Sequence, residues 1–365
     1  MSTQVESGTI DQLSINTIRT VAMDAVQAAN SGHSGTPMAL APLVYCLWQR
    51  FLRYDPENPM WVNRDRFVLS VGHASMLLYS IVHLSGVKAV NAKYERLGEL
   101  SVTLDDIKHF RQLASKCAGH PEYRWTAGVG TTTGPLGQGG ATSVGMVIAS
   151  HWLAAHFNRP SFNLFDYNVY ALTGDGCMME GVSGEAASLA GHLTLSNLCW
   201  IYDNNHMSIE GSTHLAFSED VATRFIAYGW NVTRVGDAND LEMLERAFRV
   251  FQTTQDRPTL IIVASHIGYG APHKQDTSAA HGEPLGWAHY TGLKGRVIGM
   301  RTFGSSAPLK ALQLKFGFTP EKVVSAARHN WFHRSNAIWP FGNFCTLFIK
   351  AIAHACTQTE RKIRS

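Results

Sequence analysis

The chain has 365 residues, 45% of them hydrophobic and 16% charged, with a formal net charge of +3 and no block of five or six like charges. That content suffices for one large core or two domains, and the balanced charge argues against a nucleic-acid partner. The first residues, MSTQVESGTIDQLSINT, lack a basic segment leading into an apolar run, and no uncharged apolar stretch of about 18 residues occurs, so a cytoplasmic globular protein without a membrane segment is expected.

From Asp11 to Asn30, Leu13, Ile15, Ile18, Val21, Ala22, Ala25 and Val26 recur at helical spacing, and Ser31-Gly32 is a stop signal just before His33. A second helical pattern runs through Met38, Leu40, Leu43, Val44, Leu47 and Phe51. Short apolar runs rich in Val, Ile and aromatics occur at 66 to 71, 169 to 173, 198 to 202 and 258 to 265, and they read as strands buried on both faces. Helical segments lie between them, around 219 to 228 and 241 to 251. Strand alternating with helix predicts an α/β fold, a parallel sheet flanked by helices, with function sought just beyond the strand ends. The six cysteines, Cys46, Cys117, Cys177, Cys199, Cys345 and Cys356, show no CxxC spacing, which predicts reduced, mostly buried thiols and neither a zinc site nor a disulfide framework.

Two of these strands lead into chemically specific segments. After VYALT comes Gly174-Asp175-Gly176, and after LCWIY come Asp203, Asn204 and Asn205, with Asn205 thirty positions beyond Asp175. A carboxylate at one strand end and an amide at the next can share one hard cation through oxygen ligands. Glycines beside them let backbone N–H groups approach a diphosphate. Gly, Asp and Asn also serve as plain turn residues, but the two motifs at this spacing, each after a buried strand, resemble the GDG and NN signature of the thiamine diphosphate (ThDP) enzymes.

Four histidine motifs stand in order: SGHSG at 31 to 35, VGHAS at 71 to 75, AGHPE at 118 to 122 and AHGEPLG at 280 to 286. TTTGPLGQG occupies 131 to 139, NRDRFVLS 63 to 70 and FRQLASK 110 to 116. Together these resemble the N-terminal domain of transketolases, from about residue 10 to 286. The resemblance implies that Asp175, Asn205 and the Met207 carbonyl bind Mg2+ or Ca2+, and that Gly176, His73, Asn205 and His281 contact the cofactor. It places Gly134, Pro135 and Leu136 against ThDP, Ile209 beside its thiazolium and Glu180 at an interdomain contact. His33, His73, His120 and His281 take the catalytic and substrate-handling positions, where neutral groups meet polyol hydroxyls and move protons. Ser34 departs from the family, which carries proline after SGH.

Beyond 286 the pattern changes. Residues 287 to 327 resemble the end of a transketolase C-terminal domain, a short α/β extension with helix starts at Ser306-Ala307-Pro308 and Thr319-Pro320. Residues 328 to 365 match nothing and read as a packing helix with a polar end. The family's central pyrimidine-binding (Pyr) domain has no counterpart, and no residue takes the role of its activating glutamate. The expected activity is transfer of a two-carbon ketol unit from a ketose or hydroxypyruvate to an aldehyde, in a homodimer or with a Pyr-domain-bearing partner. A non-catalytic ThDP-binding regulator and one half of a two-chain ThDP enzyme remain the alternatives.

Overall fold

The computed structural model describes residues 7–271, 274–281, 308–316, 319 and 322. In chain order the elements are α1 (Ser7–Ala29), α2 (Gly35–Arg50), β1 (Arg66–Leu69), α3 (Ser75–Leu84), β2 (Lys88–Val90), β3 (Arg96–Leu100), α4 (Leu104–Lys108) and α5 (Gln138–Phe157). Next come β4 (Val169–Gly174), α6 (Asp175–Met179), α7 (Gly181–His192), β5 (Leu198–Asn204), β6 (Met207–Ser208) and β7 (Gly211–Ser212). The rest are α8 (Val221–Ala227), β8 (Asn231–Val235), α9 (Leu241–Thr253), β9 (Thr259–Ala264) and α10 (Leu309–Phe316).

Five strands form one parallel sheet in the order β1-β4-β5-β9-β8, as the alternating strand and helix pattern requires. Side chains alternate between its faces, and each face is covered. Tyr170, Leu172, Cys199, Ile201, Ile261 and Val263 point into a core shared with α1, α2, α3 and α9. Val169, Ala171, Leu198, Trp200, Leu260 and Ile262 point into a second core shared with α5, α7 and α8. Each large apolar side chain removed from water contributes on the order of 1.5–3 kcal/mol. Trp200, fully buried, anchors the second core by donating its indole N–H to Ser143 Oγ at 2.9 Å.

Local signals explain where the helices start. Asp240 caps α9 by accepting from Met243 N at 2.9 Å, and Asp220 caps α8 through Thr223 N. α1 ends where Asn30 takes φ 46° and Gly32 φ 133°, a reversal that turns the chain into α2. Strand β5 runs two residues further than its apolar run, so Asp203 and Asn204 belong to the strand and Asn205 is the first residue beyond it. The edge strand β8 and the two hairpins, β2–β3 and β6–β7, have no strong apolar pattern and are set by pairing.

Cys46, Cys117, Cys177 and Cys199 are buried and free, as expected; Cys345 and Cys356 lie outside the described residues. α10 begins directly after Pro308. It spans the boundary between the two compact units into which the chain divides. Of the helix expected from Thr319-Pro320 only Thr319 and Lys322 are described, Lys322 as helical, and the tail from 328 lies outside the described residues. No described helix is long and apolar enough to cross a membrane.

Candidate functional site

The carboxyl ends of β4 and β5 meet in register, Gly174 opposite Asp203, so the residue after each strand falls on the same side of the sheet. Asp175, the first residue of α6, is buried. Its Oδ1 accepts the Tyr202 hydroxyl at 2.5 Å and its Oδ2 accepts the backbone N–H of His206 at 3.1 Å. The Tyr202 oxygen also lies 3.0 Å from the Asn204 carboxamide. Beside it, Asp203 accepts from Ser265 Oγ and from Asn205 Nδ2, the latter at 2.9 Å.

Because a carboxylate accepts only, Asp203 fixes the amide of Asn205 with its nitrogen inward and its Oδ1 on the opposite side, where Met207 N donates at 2.9 Å. Burial raises the Asp175 carboxyl above its ordinary range, with the Tyr202 hydrogen bond opposing. Burial also pushes Asp203 up to about 7, against the Ser265 hydrogen bond and with Asp175 adding to the rise. Two buried carboxyls and the carboxamide of Asn205, gathered at neighbouring strand ends, form a set that a hard divalent cation would stabilise.

The histidines come from four separate loops. His33 sits in the turn between α1 and α2, His73 in a short 3-10 turn after β1, His120 in the long loop after α4, and His281 after the Ser278–Ala280 turn. Ring centroids of His33 and His73 are 5.0 Å apart, those of His73 and His281 4.9 Å, and those of His33 and His281 6.0 Å. Close packing without side chains makes this possible: a Cβ at Gly35 would lie 2.4 Å from the Ala280 carbonyl oxygen, and Gly268 N donates to the Gly35 carbonyl at 3.0 Å. Ser75 Oγ donates to the Gly119 carbonyl at 2.9 Å, tying the His120 loop to the start of α3.

These rings are held neutral. Burial drives His33 down to about 3, helped by His281, Arg111 and His120. His73 is driven far below its ordinary value by burial and by the other three histidines, His120 is lowered by burial and Arg111, and His281 by burial. Neutral imidazoles offer one donor and one acceptor each, which suits sugar hydroxyls.

The loop 131 to 137 joins the two clusters. Thr133 N donates to the Pro121 carbonyl at 3.2 Å, Gly134 lies beside the His120 ring, and a Cβ at Gly176 would sit 2.7 Å from Leu136 Cδ1. Pro135 is exposed and Leu136 half-buried. Glu180 is exposed at the junction of α6 and α7, against Gly137, and Ile209 is half-buried at the tip of the β6–β7 hairpin. Buried polar atoms around this loop have no hydrogen-bond partner among the described residues: Thr133 Oγ1, Ser183 Oγ and His281 Nδ1. Orphaned polar groups beside an oxygen-rich strand end fit a polar, diphosphate-bearing ligand held through a cation.

The fold therefore gathers His33, His73 and His281 into one cluster and Asp175, Asn205 and Met207 into another, with His120 and 134 to 136 between them. His109, His151 and His192, which match no motif, are exposed. Sequence reasoning gave no role to Tyr202, Asp203, Ser265 or Arg111. A carboxylate inside an otherwise apolar strand was the available signal for Asp203; Arg111 becomes notable only through its neighbours.

The family model for "transketolase, thiamine diphosphate binding domain" matches residues 10–303. Transketolase from Nostoc sp. is 52% identical over 283 residues, covering 77% of this chain and 40% of that protein. Transketolase from Geobacillus stearothermophilus is 52% identical over 277 residues, covering 76% and 40%. Among solved structures, the chain is similar to transketolase from Leishmania mexicana, with TM-score 0.70 and 45% identity over 76% of this chain and 39% of that one. The match thus spans about two fifths of the length of these relatives. The chain, with this site at the ends of its parallel strands, belongs to the transketolase family.

Proposed function

We propose that this chain binds ThDP through a divalent cation, Mg2+ or Ca2+, and takes part in moving a two-carbon ketol unit from a ketose or hydroxypyruvate to an aldehyde. The observation that carries this reading is the placement of an oxygen-donor cluster and a pocket of neutral histidines on either side of one loop, 131 to 137. In this reading Asp175, Asn205 and the Met207 carbonyl hold the cation. Gly176, with His73, Asn205 and His281, lies against the cofactor, and Gly134, Pro135, Leu136 and Ile209 flank it, with Glu180 at its edge.

When bound, ThDP supplies the nucleophilic carbon that carries the two-carbon unit between donor and acceptor. The chain's own residues bind, orient and move protons. His33, His73, His120 and His281 remain neutral near pH 7, exchange hydrogen bonds with hydroxyls, and give or take a proton at a ring nitrogen as the sugar C–C bond breaks or forms. The ThDP module is assigned to 1–286, a C-terminal-domain remnant to 287–327, and no role to 328–365.

The match to two fifths of the relatives' length supports a second reading, in which catalysis needs groups from another copy or from a Pyr-domain-bearing partner, and the isolated chain only binds ThDP. Purified chain with Mg2+ and ThDP separates the two: calorimetry reports cofactor binding, and a ketol-transfer assay from hydroxypyruvate to an aldehyde reports turnover. Turnover lost in Asp175→Ala supports the enzyme. Binding without turnover supports the second reading, and no binding at all rejects the site.

A further inference from the structure

Arg111 stands out among the half-buried arginines. Arg19 donates to the Met38 carbonyl and to Asn239, Arg53 pairs with Asp65 and Asp166, and Arg224 pairs with Glu219 and donates to the Met178 carbonyl. The guanidinium of Arg111, half-buried as well, makes no hydrogen bond and no ion pair among the described residues. Its position is nonetheless fixed. Phe110 is buried in the core, and Arg111 N donates to the Cys117 carbonyl at 3.0 Å. The backbone at Arg111 takes φ 58°, a conformation that costs a bulky residue on the order of 1 kcal/mol. The guanidinium lies against the turn that carries His33: Arg111 Nη1 is 3.5 Å from where a Cβ at Gly32 would be.

Removing a cation from water without a counter-charge is unfavourable, and here the neighbouring rings cannot compensate, because His33 and His120 are neutral and are kept so partly by Arg111 itself. Five N–H donors in a planar fork beside neutral donor-acceptor rings match a ligand with hydroxyls at one end and a planar or tetrahedral anion at the other. We infer that Arg111 recognises the anionic end of the substrate, a phosphate monoester or a carboxylate, while the adjacent histidines meet its hydroxyls. This rests on the sugar- or keto-acid-handling role proposed above, and it adds the residue that selects for charge.

The test uses the full chain without cofactor, so that it does not depend on turnover. Histidine ring resonances are followed by NMR during titration with ribose 5-phosphate, hydroxypyruvate or uncharged erythrulose. Ribose 5-phosphate or hydroxypyruvate is expected to shift the His33 and His120 signals, and whichever binds identifies the anion as phosphate or carboxylate. In Arg111→Gln that binding weakens about 10- to 100-fold, the scale of a lost charge-assisted hydrogen bond, while erythrulose binds as before. Arg111→Lys keeps the charge and loses the fork, so an intermediate loss is expected; it decides the matter if the glutamine variant does not fold. If neither anion shifts these signals, or both variants bind the anion as tightly as the native chain, the inference is overturned. Failure of ThDP to bind in a separate calorimetric experiment would instead count against the proposed function.

Discussion

At the ends of β4 and β5, the polar side chains are locked: Asp175 is met by Tyr202 and His206 N, Asp203 by Ser265 and Asn205, and Asn205 Oδ1 by Met207 N. Around His33, His73 and His281 no ring nitrogen has a hydrogen-bond partner among the described residues, and the ring centroids lie 4.9 to 6.0 Å from one another. The first region is a polar cluster preorganised by strand register. The second is a desolvated pocket whose hydrogen-bonding capacity is unused among the described residues. The proposed function, in which one end anchors a cofactor and the other handles changing sugars, would need this division. Rigidity favours the cation, and open donors and acceptors favour hydroxyls that differ between substrates.

The comparison can be broken most severely at Asp175. Asp175→Ala removes the carboxylate and leaves the Tyr202 hydroxyl and His206 N–H without their acceptor. Calorimetric titration should find cation-dependent ThDP affinity reduced by about 100-fold or more, with a stability loss of about 1–3 kcal/mol. Retained affinity would mean that the oxygen cluster is only structural. The histidine pocket has its own weak point in Gly35. Gly35→Ala puts a Cβ 2.4 Å from the Ala280 carbonyl oxygen, so the segment leading to His281 has to move. Denaturant unfolding should show a loss of about 1–3 kcal/mol, and unchanged His281 NMR signals would contradict the packing described.

A smaller effect is expected from Tyr202→Phe, which deletes one hydrogen bond to Asp175 and leaves the His33, His73 and His281 side chains as they are. Cation affinity should fall about 10-fold while histidine signals stay in place, which tests whether the two regions are independent. The smallest concerns pH. His33 is held down to about 3, below the 6.5 of an ordinary histidine. The unfolded chain therefore binds the extra proton first, so the stability contributed by the neutral ring is fully present above pH 6.5 and is lost as pH falls from there toward 3. Thermal midpoints measured from about pH 7.5 to 5 should decline less in His33→Gln than in the native chain, by about 2 °C or less. An identical decline would place the sensitivity elsewhere.

Much of the oxygen-rich end proposed to hold a cation was legible in the sequence because it is local. Gly174-Asp175-Gly176 and Asn205 come directly after buried strands whose apolar runs are unmistakable, and parallel pairing of those strands brings their ends together. Even there, Asp203 and Tyr202 were given no role, since a strand residue's partner across the sheet is not written beside it. The histidine motifs could be found one by one, and the resemblance named their family. Their approach to within 5 to 6 Å, however, depends on Gly35 packing under Ala280 and on Ser75 holding the Gly119 carbonyl.

The sequence by itself determined the alternation of strand and helix, the covered faces of the sheet, the oxygen-bearing side chains at two strand ends and membership in a family of ThDP domains. Local periodicity, turn chemistry and spacing carry that information. Only the tertiary structure decided that the histidines are neutral, that Asn205 is turned by Asp203, and that Arg111 has no counter-charge among the described residues. Those properties arise from desolvation and from contacts between residues up to 248 positions apart, such as His33 and His281, and neither is encoded in any one segment of the chain.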